Sequence, residues 1–266
     1  MDRKIFVKEE IKISMNFENV LYEVKDGILY LTLNRPEARN ALSPEMWRDI
    51  TAAVQAARVD DSIRVVIVTH TGDKALASGA DIRELHERYY MLQMLGTATE
   101  ALQALENLNK PTICAINGFA LGGGCELALA CDIRVATSRS KFGQPEVNLS
   151  LIPGAGGTQR LPRLVGPGIA KEMIFTGKII TADEAKEIGL VNHVTEDTHE
   201  AVLAEAGLTL DNVVKTTVFV QDLADFGAVN EIYGTYFHGG FPARSCVQIA
   251  ALPKNALVEI ECIAVR

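Results

Sequence analysis

The chain has 266 residues, 48% apolar and 23% charged, with a formal net charge of −8. This is an ordinary globular composition with room for one large core or two small ones. The acidic balance argues against nucleic acid or an anionic membrane as a general partner, and no apolar run is long enough to span a bilayer.

Residues 1–16 mix charges with single apolar residues and lack the unbroken apolar core of a secretory signal. Asp2, Glu9 and Glu10 offset Arg3, Lys4, Lys8 and Lys12. We read a solvated leader or a cloning remnant, and the cysteine pattern suggests a cytoplasmic protein. Val20–Val24 and Ile28–Leu33 read as strands joined at Lys25-Asp26-Gly27, a hairpin signal. Ser43-Pro44-Glu45 opens a helix, with Ser43 as cap and Pro44 at the first position. Ile63–Thr69 is a β-branched run expected to be a strand buried on both faces. Residues 82–108 have helical periodicity with an interruption expected near Gly96. Pro111 ends that region, and Thr112–Ile116 is a second buried strand. A helix at Cys125–Ala130 follows three glycines. Short strands near Ile133–Ala136 and Lys141–Gly143 precede a glycine-rich loop at 153–157. Helices are expected near 158–165, 168–175 and 182–188. Strand-strand-helix units recur, so we expect an α/β fold of repeating ββα units and not a doubly wound nucleotide fold.

The cysteines are Cys114, Cys125, Cys131, Cys246 and Cys262. Their number is odd and none has C-x-x-C spacing, which suggests reduced thiols and no zinc site.

Three motifs carry chemistry. In Asn117-Gly-Phe-Ala-Leu-Gly-Gly-Gly-Cys-Glu126, consecutive glycines let backbone approach a ligand closely, and free amides at the helix start suit developing negative charge. Glu126 lies one turn in. Gly79-Ala80-Asp81 offers a second amide for an oxyanion hole, although by itself such a segment is more often just a helix cap. Phe142-Gly-Gln-Pro-Glu146 precedes Ile152-Pro-Gly-Ala-Gly-Gly-Thr-Gln159, which has no G-K-[ST] ending and so is not a P-loop. Two carboxylates, each beside a glycine-rich turn, suit paired acid–base work on one water.

These segments, with Leu33-Asn-Arg-Pro36, Asn40-Ala-Leu42, Ser78-Gly-Ala-Asp81 and Thr176-Gly-Lys178, resemble the enoyl-CoA hydratase (crotonase) superfamily over residues 17–195. The resemblance implies a ββα-spiral domain over 17–198 and a trans-2-enoyl-CoA thioester as substrate. It implies Glu126 and Glu146 as catalytic carboxylates and the amides of Ala80 and Gly123 as the oxyanion hole. Gly154 would position water, and Ser78, Asp81 and Ile82 would contact coenzyme A. Coenzyme A is then part of the substrate, and no metal or redox cofactor is implied. The stretch Tyr89-Tyr90-Met91…Met94-Leu95 serves either an acyl pocket or ordinary core. Double-bond isomerisation is the alternative reaction on this scaffold.

From residue 199 the pattern changes. A helix is expected at Glu200–Ala206, stopped by Gly207, then a strand at Val213–Val220 and a helix at Asp225–Phe237. Strands Ser245–Ala250 and Leu257–Val265 flank a Pro253-Lys254-Asn255 turn. Asp211-Asn-Val-Val-Lys-Thr-Thr-Val-Phe-Val220, Pro242-Ala-Arg-Ser-Cys-Val247 and Val258-Glu-Ile-Glu-Cys-Ile-Ala-Val265 resemble the C-terminal half of the reactive intermediate deaminase (RidA) family, an α+β fold. That resemblance implies a carboxylate-binding Arg244, with Cys246, Asn230 and Glu259 around the same imino-acid pocket. The segment would act as a deaminase or as an assembly module. The N-terminal half of that pocket has no counterpart, so the chain reads as a hybrid joined at 197–199. Both families suggest a homo-oligomer, a trimer or a multiple of trimers.

Overall fold

A computed structural model describes residues 17–25, 27–81, 88–196, 213–220, 227, 229, 231, 243–248 and 258–264. Two sheets and the helices between them form the main body. β1 (Val20–Lys25) and β2 (Ile28–Leu33) make the expected antiparallel hairpin. β2 then pairs in parallel with β3 (Val65–His70), followed by β5 (Thr112–Ile116), β7 (Ile133–Thr137) and β10 (His193–Thr195). The second sheet holds the short strands β4 (Ala75–Ala77), β6 (Phe119–Leu121), β8 (Lys141–Gly143) and β9 (Ile179–Thr181). The chain therefore alternates: β3, β5 and β7 enter the large sheet, and β4, β6 and β8 enter the small one. This is the repeating ββα spiral that the sequence suggested.

The reason lies in the burial pattern. All five residues of β5 are buried, and β3 is buried at its centre, so both faces of the large sheet are apolar. One face presents Leu29, Leu31, Val66, Val68, Cys114, Ile116 and Ala136 to the main core, and the other carries Ile67, Ile113, Ala115 and Val135. Helix α1 (Pro44–Val59) buries Met46, Trp47, Ile50, Ala53, Val54 and Ala57, one stripe at helical spacing. Its Ser43 cap accepts from the Met46 N–H at 3.2 Å, as expected of S-P-E. Helix α2 (Arg88–Glu106) runs unbroken through Gly96, so the expected interruption is absent; a single exposed glycine weakens a helix without ending it. Helices α3 (Gly123–Leu129), α4 (Gly157–Val165), α5 (Pro167–Thr176) and α6 (Ala182–Glu187) lie close to their expected spans. A 3-10 turn occupies Pro145–Leu149. Arg134, buried in β7, donates to the carbonyls of Leu190 at 2.7 Å and Cys131 at 2.6 Å, tying the segment after α6 to this strand.

Beyond residue 196, β11 (Val213–Val220) pairs in parallel with β12 (Ala243–Gln248) and antiparallel with β13 (Val258–Ala264). These are the three strands expected there, in a sheet hydrogen-bonded separately from the other two. Gly227, Val229 and Glu231 are helical, within the span expected at Asp225–Phe237. The expected leader at 1–16, the helix at Glu200–Ala206, the boundary at 197–199 and the turn at Pro253–Asn255 lie outside the described residues. Among the described residues, no helix is long and apolar enough to cross a membrane.

Candidate active site

The strands β4, β6 and β8 are parallel neighbours, so their C-terminal ends open on one rim of the small sheet. From these ends come Ser78–Asp81, Gly122–Gly124 and Gln144–Glu146. The topology therefore brings together the three motifs that the sequence singled out.

Two glycines make the approach possible. Gly122 caps α3 with φ 51° and ψ −121°, and a Cβ there would stand 3.1 Å from the Glu146 Oε1 atom. Gly124 sits on β4: a Cβ would stand 2.4 Å from the Ala77 carbonyl oxygen. The first turn of α3 is thus pressed against the end of β4. Ala80 forms an isolated parallel bridge with Leu42, and its neighbours' groups are used: Leu42 N–H donates to Gly79 O and Asp81 N–H to Leu42 O, each at 2.9 Å. Neither the Ala80 N–H nor the Gly123 N–H has a hydrogen-bond acceptor among the described residues. The Gly123 N–H is free because a first-turn helical amide has no intrahelical partner.

Glu126 is 3% exposed. Its Oε1 accepts from the Ala155 N–H at 2.8 Å and the Gly157 N–H at 2.7 Å. Gly157 opens α4, so the carboxylate lies at a helix N-terminus, where its charge is favoured. No described group donates to its Oε2. Burial raises the Glu126 carboxyl above its ordinary value, against the opposing pull of these two bonds and of Arg160. Glu146 lies in the first turn of the 3-10 segment and is half-buried. Burial first, and then the charge of Glu126, push its carboxyl up to about 7. Fully buried Gln144, with its amide nitrogen turned toward that carboxylate, donates to Glu146 Oε1 at 2.9 Å and Oε2 at 3.2 Å. Burial, then the charges of Glu126 and Glu146, push the Cys125 thiol to about 12, which leaves it inert as a nucleophile. The site is thus a pair of carboxyls, both raised by burial, beside two free amides.

The other expected residues are placed as follows. Gly154 is exposed in the loop before α4, packed against Leu95 of α2: a Cβ there would stand 2.3 Å from Leu95 Cδ2. Met94 is buried in the core, and Leu95 is partly exposed over that loop. The side chains of Tyr89, Tyr90 and Met91, and all of Ile82, lie outside the described residues. Ser78 is exposed, with its N–H on Arg39 O at 3.1 Å. Asp81 is buried and pairs with Arg35 at 3.2 Å, which anchors the 79–81 loop to the segment before α1. In the small C-terminal sheet, Arg244 registers with Thr216 and Cys246 with Val218, while Glu259 registers with Phe219, the position after Val218. Cys246 is half-buried and unbridged, and Asn230 lies outside the described residues.

Four contributors were not singled out by the sequence reading. Gln144 lies inside a recognised motif, but only its contact with Glu146 reveals its use. The donors to Glu126 are backbone amides of Ala155 and Gly157, for which residue type is a poor signal. Arg160 lies in the run I-P-G-A-G-G-T-Q-R-L, but only its contact with the Ala155 carbonyl reveals its use.

The geometry agrees with comparisons to known proteins. The sequence profile of the enoyl-CoA hydratase/isomerase family matches residues 23–231, running past the break expected at 197–199. A crotonyl-CoA hydratase from Syntrophomonas wolfei is 47% identical over 184 residues, 68% of this chain and 71% of that protein. A short-chain-enoyl-CoA hydratase from Clostridium acetobutylicum is 47% identical over 186 residues, 68% of this chain and 70% of that one. The crystal structure of an enoyl-CoA hydratase from Bacillus anthracis superposes with a TM-score of 0.69 at 39% identity, covering 71% of this chain and 76% of that chain. With the spiral, the glycine-built rim and most of the sequence accounted for by one profile, the chain belongs to the enoyl-CoA hydratase/isomerase family.

Proposed function

We infer that the protein is an enoyl-CoA hydratase, a hydro-lyase that adds water reversibly to a trans-2-enoyl-CoA thioester. The observation that carries this is the carboxyl pair: Glu126, held by two amides through one oxygen and with no described donor on the other, and Glu146, whose carboxyl is pushed up to about 7. Glu126 Oε2 takes a proton from water as the water oxygen bonds to Cβ. Glu146 gives its proton to Cα. The Ala80 and Gly123 amides stabilise the enolate oxygen between these steps; loss of one such donor typically costs about 10²–10³ in rate. The two carboxyls then exchange protonation states and solvent resets them. Exposed Val147, Leu149, Leu151 and Ile152 follow Glu146 and give its surroundings an apolar surface suited to an acyl chain. A dedicated isomerase needs to move only one proton between carbons, so the second, water-directed carboxylate favours hydration.

Ser78, Asp81, Ile82 and Gly154 as substrate contacts, coenzyme A as the only carrier, a trimeric assembly and a cytoplasmic location are carried from the resemblance and belong to this proposal. The deaminase likeness of the C-terminal segment is also a proposal, supported by its motifs and by the three-strand set β11–β13. The family match to residue 231 does not favour it as the activity of the chain. The test is hydration of crotonyl-CoA by the purified full chain, followed as loss of enoyl-thioester absorbance with oligomeric mass recorded alongside. Wild-type hydration in Glu126→Gln would show that this carboxylate is not the base.

A further inference from the structure

The hydration steps give no task to Arg160, whose guanidinium binds the loop that holds Glu126. Arg160 lies in the first turn of α4. Its Nη1 donates to the Ala155 carbonyl at 2.9 Å, and its Nη2 pairs with Glu106 Oε2 at 2.7 Å. Ala155 is also the residue whose N–H binds Glu126 Oε1 at 2.8 Å. One residue is therefore gripped twice, by the carboxylate through its N–H and by the guanidinium through its carbonyl. The Arg160 side chain is 11% exposed, and its buried Nε has no acceptor among the described residues. Burying a guanidinium with an unmatched donor is costly, and a neutral donor would serve to pin a carbonyl. Glu106 is half exposed, so solvent weakens its compensation of the charge. The guanidinium and the Glu126 carboxylate are thus separated by one residue, Ala155. Burial raises the Glu126 carboxyl, and the Arg160 charge is among the groups that pull it back.

We propose that Arg160 is a positioning residue for the proton-accepting step, fixing the 153–157 loop on Glu126 and placing a positive charge next to this buried carboxylate. The proposal rests on the reading of Glu126 as the base. Its test is the pH dependence of kcat and kcat/KM for crotonyl-CoA in the full chain, with Arg160→Gln, Arg160→Lys and Glu126→Gln. Arg160→Gln removes the charge and is expected to move the acid limb of kcat/KM upward by about one pH unit. Arg160→Lys keeps the charge but not the planar fork. It should leave the limb in place while kcat falls about tenfold and KM stays within about twofold. A folded Arg160→Gln protein with the wild-type acid limb overturns the proposal. If Arg160→Gln shows no cooperative thermal unfolding, Arg160→Lys decides, and an unchanged kcat there overturns it. Normal hydration by Glu126→Gln refutes the base assignment instead, whatever the Arg160 variants do.

Discussion

Gly124→Ala inserts one methyl group where α3 meets β4, and the consequences can be worked from the geometry. The new Cβ would lie 2.4 Å from the Ala77 carbonyl oxygen and 2.9 Å from the Ala77 Cβ. An ordinary C···O contact is about 3.3–3.6 Å, so α3 must retreat by about 1 Å. β4 cannot give way freely, because it is paired to β6. Overpacking of this kind costs about 1–3 kcal/mol. The same movement carries the Gly123 amide and Glu126 away from Ala80 and Glu146, and a 1 Å error in such a constellation can cost about 10²-fold in rate. The assay is the thermal unfolding midpoint together with kcat for crotonyl-CoA hydration well below that midpoint. Gly96→Ala is the control: among the described residues, nothing beyond its own helix backbone lies within 4 Å of a Cβ built there, in an exposed part of α2. That variant should gain about 0.5–1 kcal/mol and keep its kcat. Wild-type stability and kcat in Gly124→Ala would refute the claim that this contact sets the site.

Glu126→Gln and Glu146→Gln should each lower hydration by about 10²–10⁴-fold without loss of fold, as read by kcat and thermal unfolding. Hydration requires Glu146 protonated, so kcat/KM should fall as pH rises through about 7, and Glu146→Gln should lack that limb. In stability the same carboxyl is raised in the folded state above its ordinary 4.5. Its contribution is therefore fully present below the unfolded value and lost as pH rises through about 7; denaturation midpoints across that window should slope less in Glu146→Gln. Asn40 is buried in left-handed backbone at φ 52°; it accepts from the Arg35 N–H at 2.8 Å and donates to Ala75 O at 2.9 Å and Thr71 O at 3.1 Å. Asn40→Ala should cost about 2–4 kcal/mol in denaturant unfolding, since it strands buried partners in a conformation alanine disfavours.

What the sequence disclosed follows from the kind of signal each element emits. Val65–His70 and Thr112–Ile116 are dense β-branched or apolar runs buried on both faces, and α1 carries a cap, a proline and a clean stripe; all were legible. Of the three-residue strands only Lys141–Gly143 was expected; Ala75–Ala77, Phe119–Leu121, Ile179–Thr181 and His193–Thr195 were not, because so short a run displays little period. Those short strands decide which motifs meet. The sequence therefore named Glu126 and Glu146 without showing that β4, β6 and β8 open side by side. The contributions of Ala155 and Gly157 were invisible for another reason: they come from backbone amides, which every residue but proline possesses. The C-terminal segment is a mixed case. Its strands were legible from Val-Thr and Val-Ile alternation, whereas the profile match continues past the break that the motif residues suggested.

The alternation between the two sheets also sets the order in which the molecule can acquire its chemistry. Ala80, Gly123, Glu126, Glu146, Ala155 and Gly157 come from successive turns of the spiral, and no two adjacent turns hold the whole constellation. Each contact closes a long loop, an entropic cost met before the contact repays it. Large-sheet hairpins and helices can form early and locally, but the carboxyl pair is complete only when the last of these turns has docked. Gain of activity during refolding should therefore lag behind gain of secondary structure, which makes enzymatic turnover a clock for the final closure of the spiral.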